Sequence, residues 1–263
     1  MSKKGKTLNK FYHDILTIFL RDLLIRTKSL TMLLSMILMP LSYLIFLSLS
    51  LNNMLSKINF AGISITYLEY VFPGILIIGA LQISMLCGSL LNIEKRSGML
   101  ETILSSPISR IAFIFGRLIN SYILSFAELF LILFLVKIIS PDISLSLGFI
   151  LLGLLTIFLF STIFSNISLI LASTLKSEEN YTASISITIV VVTFISNVFY
   201  PLSSLPMILQ KIAMINPVSL AANSLRYTMT KNYQTILQNI LILLIISLAF
   251  SIFNYKVFLK AQK

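Results

Sequence analysis

The sequence predicts an all-α membrane protein with six transmembrane helices. Three observations carry this reading. First, 57% of the 263 residues are apolar and only 11% are charged, with a mean hydropathy of +0.97. A soluble domain has about a quarter of its residues charged, so this chain cannot clothe a water-facing surface of its size. Second, six apolar stretches reach or approach the roughly 20 residues needed to cross a bilayer as a helix. Third, the basic residues fall mostly in alternate loops. The residue alternation of a membrane β-barrel is absent, which leaves helices as the spanning solution.

Residues 1–29 precede the first span and form an N-terminal cytoplasmic amphipathic segment; residues 30–263 make the six-helix domain. In "LNKFYHDILTIFLRDLLIRTK", Lys10, Asp14, Thr17, Arg21 and Lys28 fall near one helical face. Phe11, Ile15, Ile18, Phe19 and Leu23 fall near another, and Asp22 and Arg26 stand four residues apart as an ion-pair candidate. A basic amphipathic helix next to a span lies in the membrane interface. Its run is broken by charges and has no short apolar core with a cleavage site, so it does not read as a signal peptide. His13 is an ordinary polar-face residue.

The spans run over 30–51, 71–93, 118–139, 147–175, 183–200 and 236–253. Six is an even number, so both termini share a side. That side holds Lys3, Lys4, Lys6, Lys10, Arg21, Arg26, Lys28, Lys95, Arg96, Arg110, Arg117, Lys176, Lys256, Lys260 and Lys263. The other holds Lys57, Lys137, Lys211, Arg226 and Lys231. The positive-inside rule places both termini in the cytoplasm. The net charge of +11 therefore speaks of topology, and nucleic acid is not an expected partner.

Between spans two and three lies "IEKRSGMLETILSSPISR". Leu100, Ile103 and Leu104 recur at helical spacing, and Pro107 ends that segment. Ser105 or Ser106 could cap the next helix. A short amphipathic helix across a cytoplasmic loop, with apolar knobs and charges, is a docking device. Between spans five and six, two short amphipathic pieces flank Asn216-Pro217, and the run 207–215 is polar only at Gln210 and Lys211. That reads as a re-entrant pair, since irregular backbone at membrane depth needs protein or a water-filled cavity around it.

Catalytic motifs are missing. Gly74/Gly79 and Gly148/Gly153 have phosphate-loop spacing but no following Lys, so this chain is not expected to hydrolyse ATP. One His excludes H-E-x-x-H, and the lone Cys87 excludes a disulfide or a cysteine metal site. No catalytic and no metal-binding residue is expected. Glu128 is the one acid inside a span, where a charge costs at least about 2.5–3.5 kcal/mol. It shares a face with Arg117, Ser121 and Ser125, and reads as a neutral or hydrogen-bonded carboxyl between helices. The alternative is an ion or substrate contact. Ser161, Ser165, Ser168 and Ala172 form a small-residue stripe on span four, suited to close helix packing.

The loop closely resembles the first cytoplasmic loop of type-2 ATP-binding-cassette permeases. The matching residues are Glu94, Arg96, Gly98, Glu101, the run Ser106-Pro107-Ile108-Ser109-Arg110, and Gly116-Arg117. Pro73-Gly74 resembles the family's Pro-Gly pair at the start of span two. "FYPLSSLPMILQKIAMINPVSLAANSLR" resembles its signature after span five, with Pro201, Pro206, Asn216, Pro217 and Arg226. Asn197 stands where many relatives carry Gly. The resemblance implies a permease subunit of an exporter for a drug, lipid-linked glycan or similar amphipathic substrate. It implies a second permease copy, identical or paralogous, in a lipid membrane: the cell's inner or plasma membrane, or a plastid's. It also implies a separate ATPase subunit carrying ATP and Mg²⁺, with no cofactor on this chain. Glu94, Arg96, Gly98, Glu101, Pro107 and Arg110 would couple to that subunit through a coupling helix. The rival readings are a gradient-driven transporter working through Glu128 and a non-transporting scaffold.

Overall fold

The computed structural model describes residues 3–49, 58–141, 143, 145–202 and 206–260. Helix α1 (Lys3–Thr27) is followed by α2 (Leu30–Ser42). Pro40 lies inside α2 and has no N–H to give the helix, and the chain continues as a wider π-helical stretch, Tyr43–Leu49. Then come α3 (Tyr67–Met85), α4 (Ser89–Arg96), α5 (Met99–Ser105), α6 (Arg110–Ile139) and α7 (Leu147–Thr174). The last helices are α8 (Glu178–Phe194), α9 (Met207–Ile215), α10 (Pro217–Met229) and α11 (Tyr233–Lys260).

Among the described residues, four helical segments are long and apolar enough to cross a membrane: Tyr67–Arg96, Arg110–Ile139, Leu147–Thr174 and Tyr233–Phe258. The other two expected spans are not among these four. The first is α2 with its π-helical continuation, and part of its expected range, 50–51, lies outside the described residues. The second is α8, which has 17 residues and contains Thr182, Ser184, Ser186, Thr188 and Thr193. The spans also begin earlier than apolarity alone predicts. Thr66 caps α3 in a capping box with Glu69, and Ser109 caps α6 through the Ala112 amide, so polar first turns are stable. The cap of α6 is thus Ser109 and not Ser105 or Ser106.

One departure from an all-helical chain is a small hairpin, β1 (Ile58–Phe60) against β2 (Ile63–Ile65). Its two-residue turn has Ala61 at φ 50° and Gly62 at φ 83°, the left-handed pair that a tight hairpin requires. Phe60 packs on the rings of Tyr70 and Tyr227, so the hairpin covers one end of the bundle.

Helix α3 is the centre of the fold, with 17 of its 19 residues buried. Gly88, just after it, donates its N–H to Ser168 Oγ, and a Cβ there would lie 2.4 Å from the Ser168 carbonyl oxygen. Helix α1 lies along α6, where a Cβ on Gly116 would come within 2.8 Å of Ile18 Cβ. Both contacts put backbones closer than any side chain allows, the packing that small residues make possible between membrane helices.

Candidate functional site

Three polar constellations are built into this apolar bundle. The first is at the end carrying α1 and the 97–109 loop. Glu94 bridges two arginines, Arg21 at 2.6 Å through Oε1 and Arg117 through Oε2. Asp22 bridges the same two, Arg21 at 2.7 Å and Arg117 Nε at 3.8 Å. The four side chains close a ring of alternating charge that joins α1, α4 and α6. Arg117, Asp22 and Glu94 are buried, so these are desolvated charges that hold only because each is paired. Arg117 also stacks over Phe113.

This ring is only partly legible in the sequence. Glu94 is expected at a partner surface and instead faces into its own chain. Arg117 counts among the loop charges for topology and also falls on the helical face of Ser121, Ser125 and Glu128; the structure buries it inside α6. Asp22 pairs with Arg21 and not with Arg26, which donates to the Leu86 carbonyl at 2.7 Å. A signal is present: Asp22 is an acid in a basic segment beside a membrane, where a carboxylate needs a reason.

Beyond the ring, the loop is fixed on both sides. Lys95 Nζ donates to the carbonyls of Ser173 and Leu175 at 2.6 and 3.1 Å, satisfying the open end of α7. Arg96 pairs with Glu178 at the start of α8; both are exposed, so the pair orients more than it stabilises. On this base stands α5, none of whose residues is buried. Gly98 takes φ 73° to turn the chain into it, a conformation that costs other residues roughly 1–2 kcal/mol. Leu100 and Ile103 rest on the core, while Met99, Glu101, Thr102 and Ser105 face outward. Pro107 and Arg110 are exposed as well. Of the six residues expected to couple, Arg96, Gly98, Glu101, Pro107 and Arg110 lie on the surface, and Glu94 lies beneath them.

The second constellation is at the opposite end. Arg226, on α10, is fully buried and reaches the unwound segment after α8. Nε donates to Tyr70 O at 2.8 Å, Nη1 to Asn197 O at 3.0 Å and Asn223 Oδ1 at 3.1 Å, and Nη2 to Val198 O at 2.8 Å. The guanidinium lies 3.8 Å over the Tyr70 ring. Tyr70 itself donates to Asn197 O and is within 3.0 Å of Tyr200 O. Carbonyls that leave a helix inside a protein need donors, and here Arg226 and Tyr70 supply them. Asn197 sits in this turn without a positive φ, so the backbone there does not need glycine. Asn216 caps α10 through the Val218 amide at 2.9 Å, with Pro217 as the first helical residue. The sequence singles out Arg226, Asn216 and Pro217 but not Tyr70 or Asn223. Pro201 and Pro206 lie in the segment that leads to α9.

The third is Glu128. It is buried against α3, where Gly79 leaves the room: a Cβ there would lie 2.1 Å from Glu128 Oε1. A hydrogen-bonded carboxyl is one expectation, but Oε2 is buried without a partner among the described residues. The serines expected on two separate stripes meet instead as rungs, Ser121 with Ser165 at 2.7 Å and Ser161 with Ser125 at 3.2 Å. Gly79→Ala is expected to destabilise the fold by about 1–3 kcal/mol through overpacking. Adding Glu128→Ala should recover much of that loss. Thermal melts of the single and double variants in detergent check it; equal melting of Gly79→Ala and wild type would refute the close contact.

Among the described residues no cluster of His, Cys, Asp and Glu could hold a metal. Two matches place this arrangement among known proteins. The chain is 27% identical over 231 residues to ycf38 of Cyanophora paradoxa, a protein named as a transport permease, covering 86% of this chain and 77% of that one. The profile of the ABC-2 type transporter family matches residues 13–230, a stretch that takes in the charge ring, α5 and Arg226. An apolar bundle with several membrane-length helices is the architecture such a transporter needs, and the profile covers most of it: the chain belongs to the ABC-2 type transporter family.

Proposed function

We propose that this chain is the permease subunit of an ATP-binding-cassette exporter, driven by a separate ATPase subunit and working beside a second permease copy. The observation that carries this is α5: a short helix that rests Leu100 and Ile103 on the core, turns Met99, Glu101, Thr102 and Ser105 outward, and is held on a base of buried ion pairs. A free loop needs no such base. A part that receives force from outside does, because its displacement must reach the spans without slack. Arg96, Glu101 and Arg110 would set orientation and specificity of docking more than raw affinity. ATP and Mg²⁺ would sit on the partner.

In this reading α2 with its π-helical continuation, and α8, complete a six-span bundle, with both termini and the α5 loop in the cytoplasm. The pair α9–α10 lies near the outer exit, at the turn that Arg226 secures. The cargo is a hydrophobic or amphipathic molecule such as a drug or a lipid-linked glycan. A gradient-driven mechanism has one observation in its favour, the unpartnered Glu128 oxygen. Transport that follows a proton gradient without the ATPase, and that Glu128→Gln abolishes, would establish it instead.

Reversing one exposed charge tests the coupling role. Glu101→Arg is expected to lower recovery of the ATPase subunit in pull-downs and to cut transport by about tenfold, the effect of losing roughly 1.4 kcal/mol at a docking surface. Membrane insertion should be unchanged, because α5 lies outside the spans. Deleting residues 98–106 should abolish both. Normal ATPase recovery and normal transport in both variants would remove α5 from the coupling pathway.

A further inference from the structure

Helix α1 has three faces, not two. One packs on the bundle, through Asp14, Ile18, Asp22 and Arg26, all buried. A second carries Lys10, Thr17, Arg21 and Lys28. The third is not evident from the sequence: Tyr12, Leu16, Leu20 and Leu24 recur every four residues and are 65%, 52%, 45% and 55% exposed. At 100° per residue this stripe lies opposite the buried face, with the basic face along one edge.

The placement of charge on this helix is one-sided. Both of its acids are turned inward: Asp14 accepts from the Ser109 amide at 3.4 Å, and Asp22 belongs to the charge ring. The charged side chains left outward from residue 9 to residue 28 are Lys10, Lys28 and the part-exposed Arg21, and the neutral polar Asn9, His13, Thr17 and Thr27 are exposed beside the apolar row. Arg110 is exposed at the adjoining start of α6. An apolar row with exposed cations and no exposed acid beside it complements a bilayer surface bearing negative headgroups.

We propose that the Tyr12–Leu16–Leu20–Leu24 face is a docking surface for anionic phospholipid, with the stripe in the acyl region and Lys10 and Lys28 at the phosphates. The proposal rests on the membrane-embedded reading of the bundle and not on ATP coupling, so the test uses the permease alone. Arg21 is committed to Glu94 and Asp22, which ties the lipid-facing helix to the base of α5. Whatever tilts α1 in the leaflet therefore pulls on that base.

The chain has no tryptophan, so single tryptophans report without background. Leu16→Trp, Leu20→Trp and, on the basic face, Thr17→Trp are placed in the full chain and reconstituted in vesicles of mixed phosphatidylglycerol and phosphatidylcholine. Either lipid is brominated in turn at equal mole fraction. The Leu16 and Leu20 probes should be quenched by bromolipid and shielded from aqueous acrylamide, and the Thr17 probe should show the reverse. Quenching by brominated phosphatidylglycerol should exceed that by brominated phosphatidylcholine, reflecting about fivefold enrichment of the anionic lipid at each lysine. That preference should vanish in Lys10→Gln/Lys28→Gln.

Equal quenching by the two bromolipids would overturn the anionic preference. Acrylamide quenching of the Leu16 and Leu20 probes would overturn the membrane face. Protection from both quenchers, with Leu20→Cys cross-linking to itself, would overturn the lipid assignment and give the stripe to a second copy of the chain.

Discussion

Arg117→Ala is expected to be among the most damaging single changes in the protein, costing about 3–5 kcal/mol, because it strands two buried carboxylates. Glu94 would keep only Arg21, and Asp22 would keep only its own neighbour in sequence. Arg117→Lys should recover part of the loss, since one ammonium cannot reproduce the forked contact to both acids. Neutralising the ring in concert is expected to be far milder. Asp22→Asn/Glu94→Gln/Arg117→Met removes the buried charges together, and buried ion networks replaced as a set are often near neutral in stability. Melting temperatures of the three variants in detergent, read by size-exclusion of the heated protein, separate these outcomes. An Arg117→Ala protein that melts with wild type would show that the ring is not closed.

The triple variant also separates stability from coupling. It should fold while α5 loses its rigid connection to α1 and α6, so transport should fall even where the melting temperature is kept. Wild-type transport in a well-folded triple variant would make the ring structural alone.

Arg226→Ala is the second large effect, again on the order of 3–5 kcal/mol, because three backbone carbonyls and Asn223 lose buried donors at once. Lysine cannot lie flat on the Tyr70 ring or reach four acceptors, so Arg226→Lys should remain well below wild type. Tyr70→Phe keeps the ring and removes only the hydroxyl, a loss of about 1 kcal/mol per hydrogen bond. The expected order of melting temperature is wild type, Tyr70→Phe, Arg226→Lys, Arg226→Ala. If Tyr70→Phe proved as damaging as Arg226→Ala, the hydroxyl and not the guanidinium would be holding the turn.

The sequence is most informative where length and periodicity dominate. The long apolar helices and the α5 segment ended by Pro107 follow from those patterns, as does the split of α9 from α10 at Asn216-Pro217. It is least informative where a polar residue has a hidden partner. Spacing puts Arg117 on the face of Ser121, Ser125 and Glu128 but hides its partners, because hydropathy weighs residues singly, whereas a buried arginine is defined by the acids that meet it from other helices. The third face of α1 is masked because Asp14, Asp22 and Arg26 occupy the packed side, so polarity alone points the helix the wrong way. Tyr70 gives no sign of its role, since an aromatic near a span end is ordinary in membranes.

The closed ring of Arg21, Asp22, Glu94 and Arg117 also limits how this sequence can drift over generations. Each member serves two partners, so a change at any one position leaves two neighbours miscast. A single exchange of sign cannot be repaired at one other site, as it could in an isolated pair. The four positions, lying on three helices far apart in the chain, can diverge only as a block. In descendants of this chain they should be retained together or replaced together, and an insertion that shifts α1 against α6 should be accepted only in lineages that have already lost the ring.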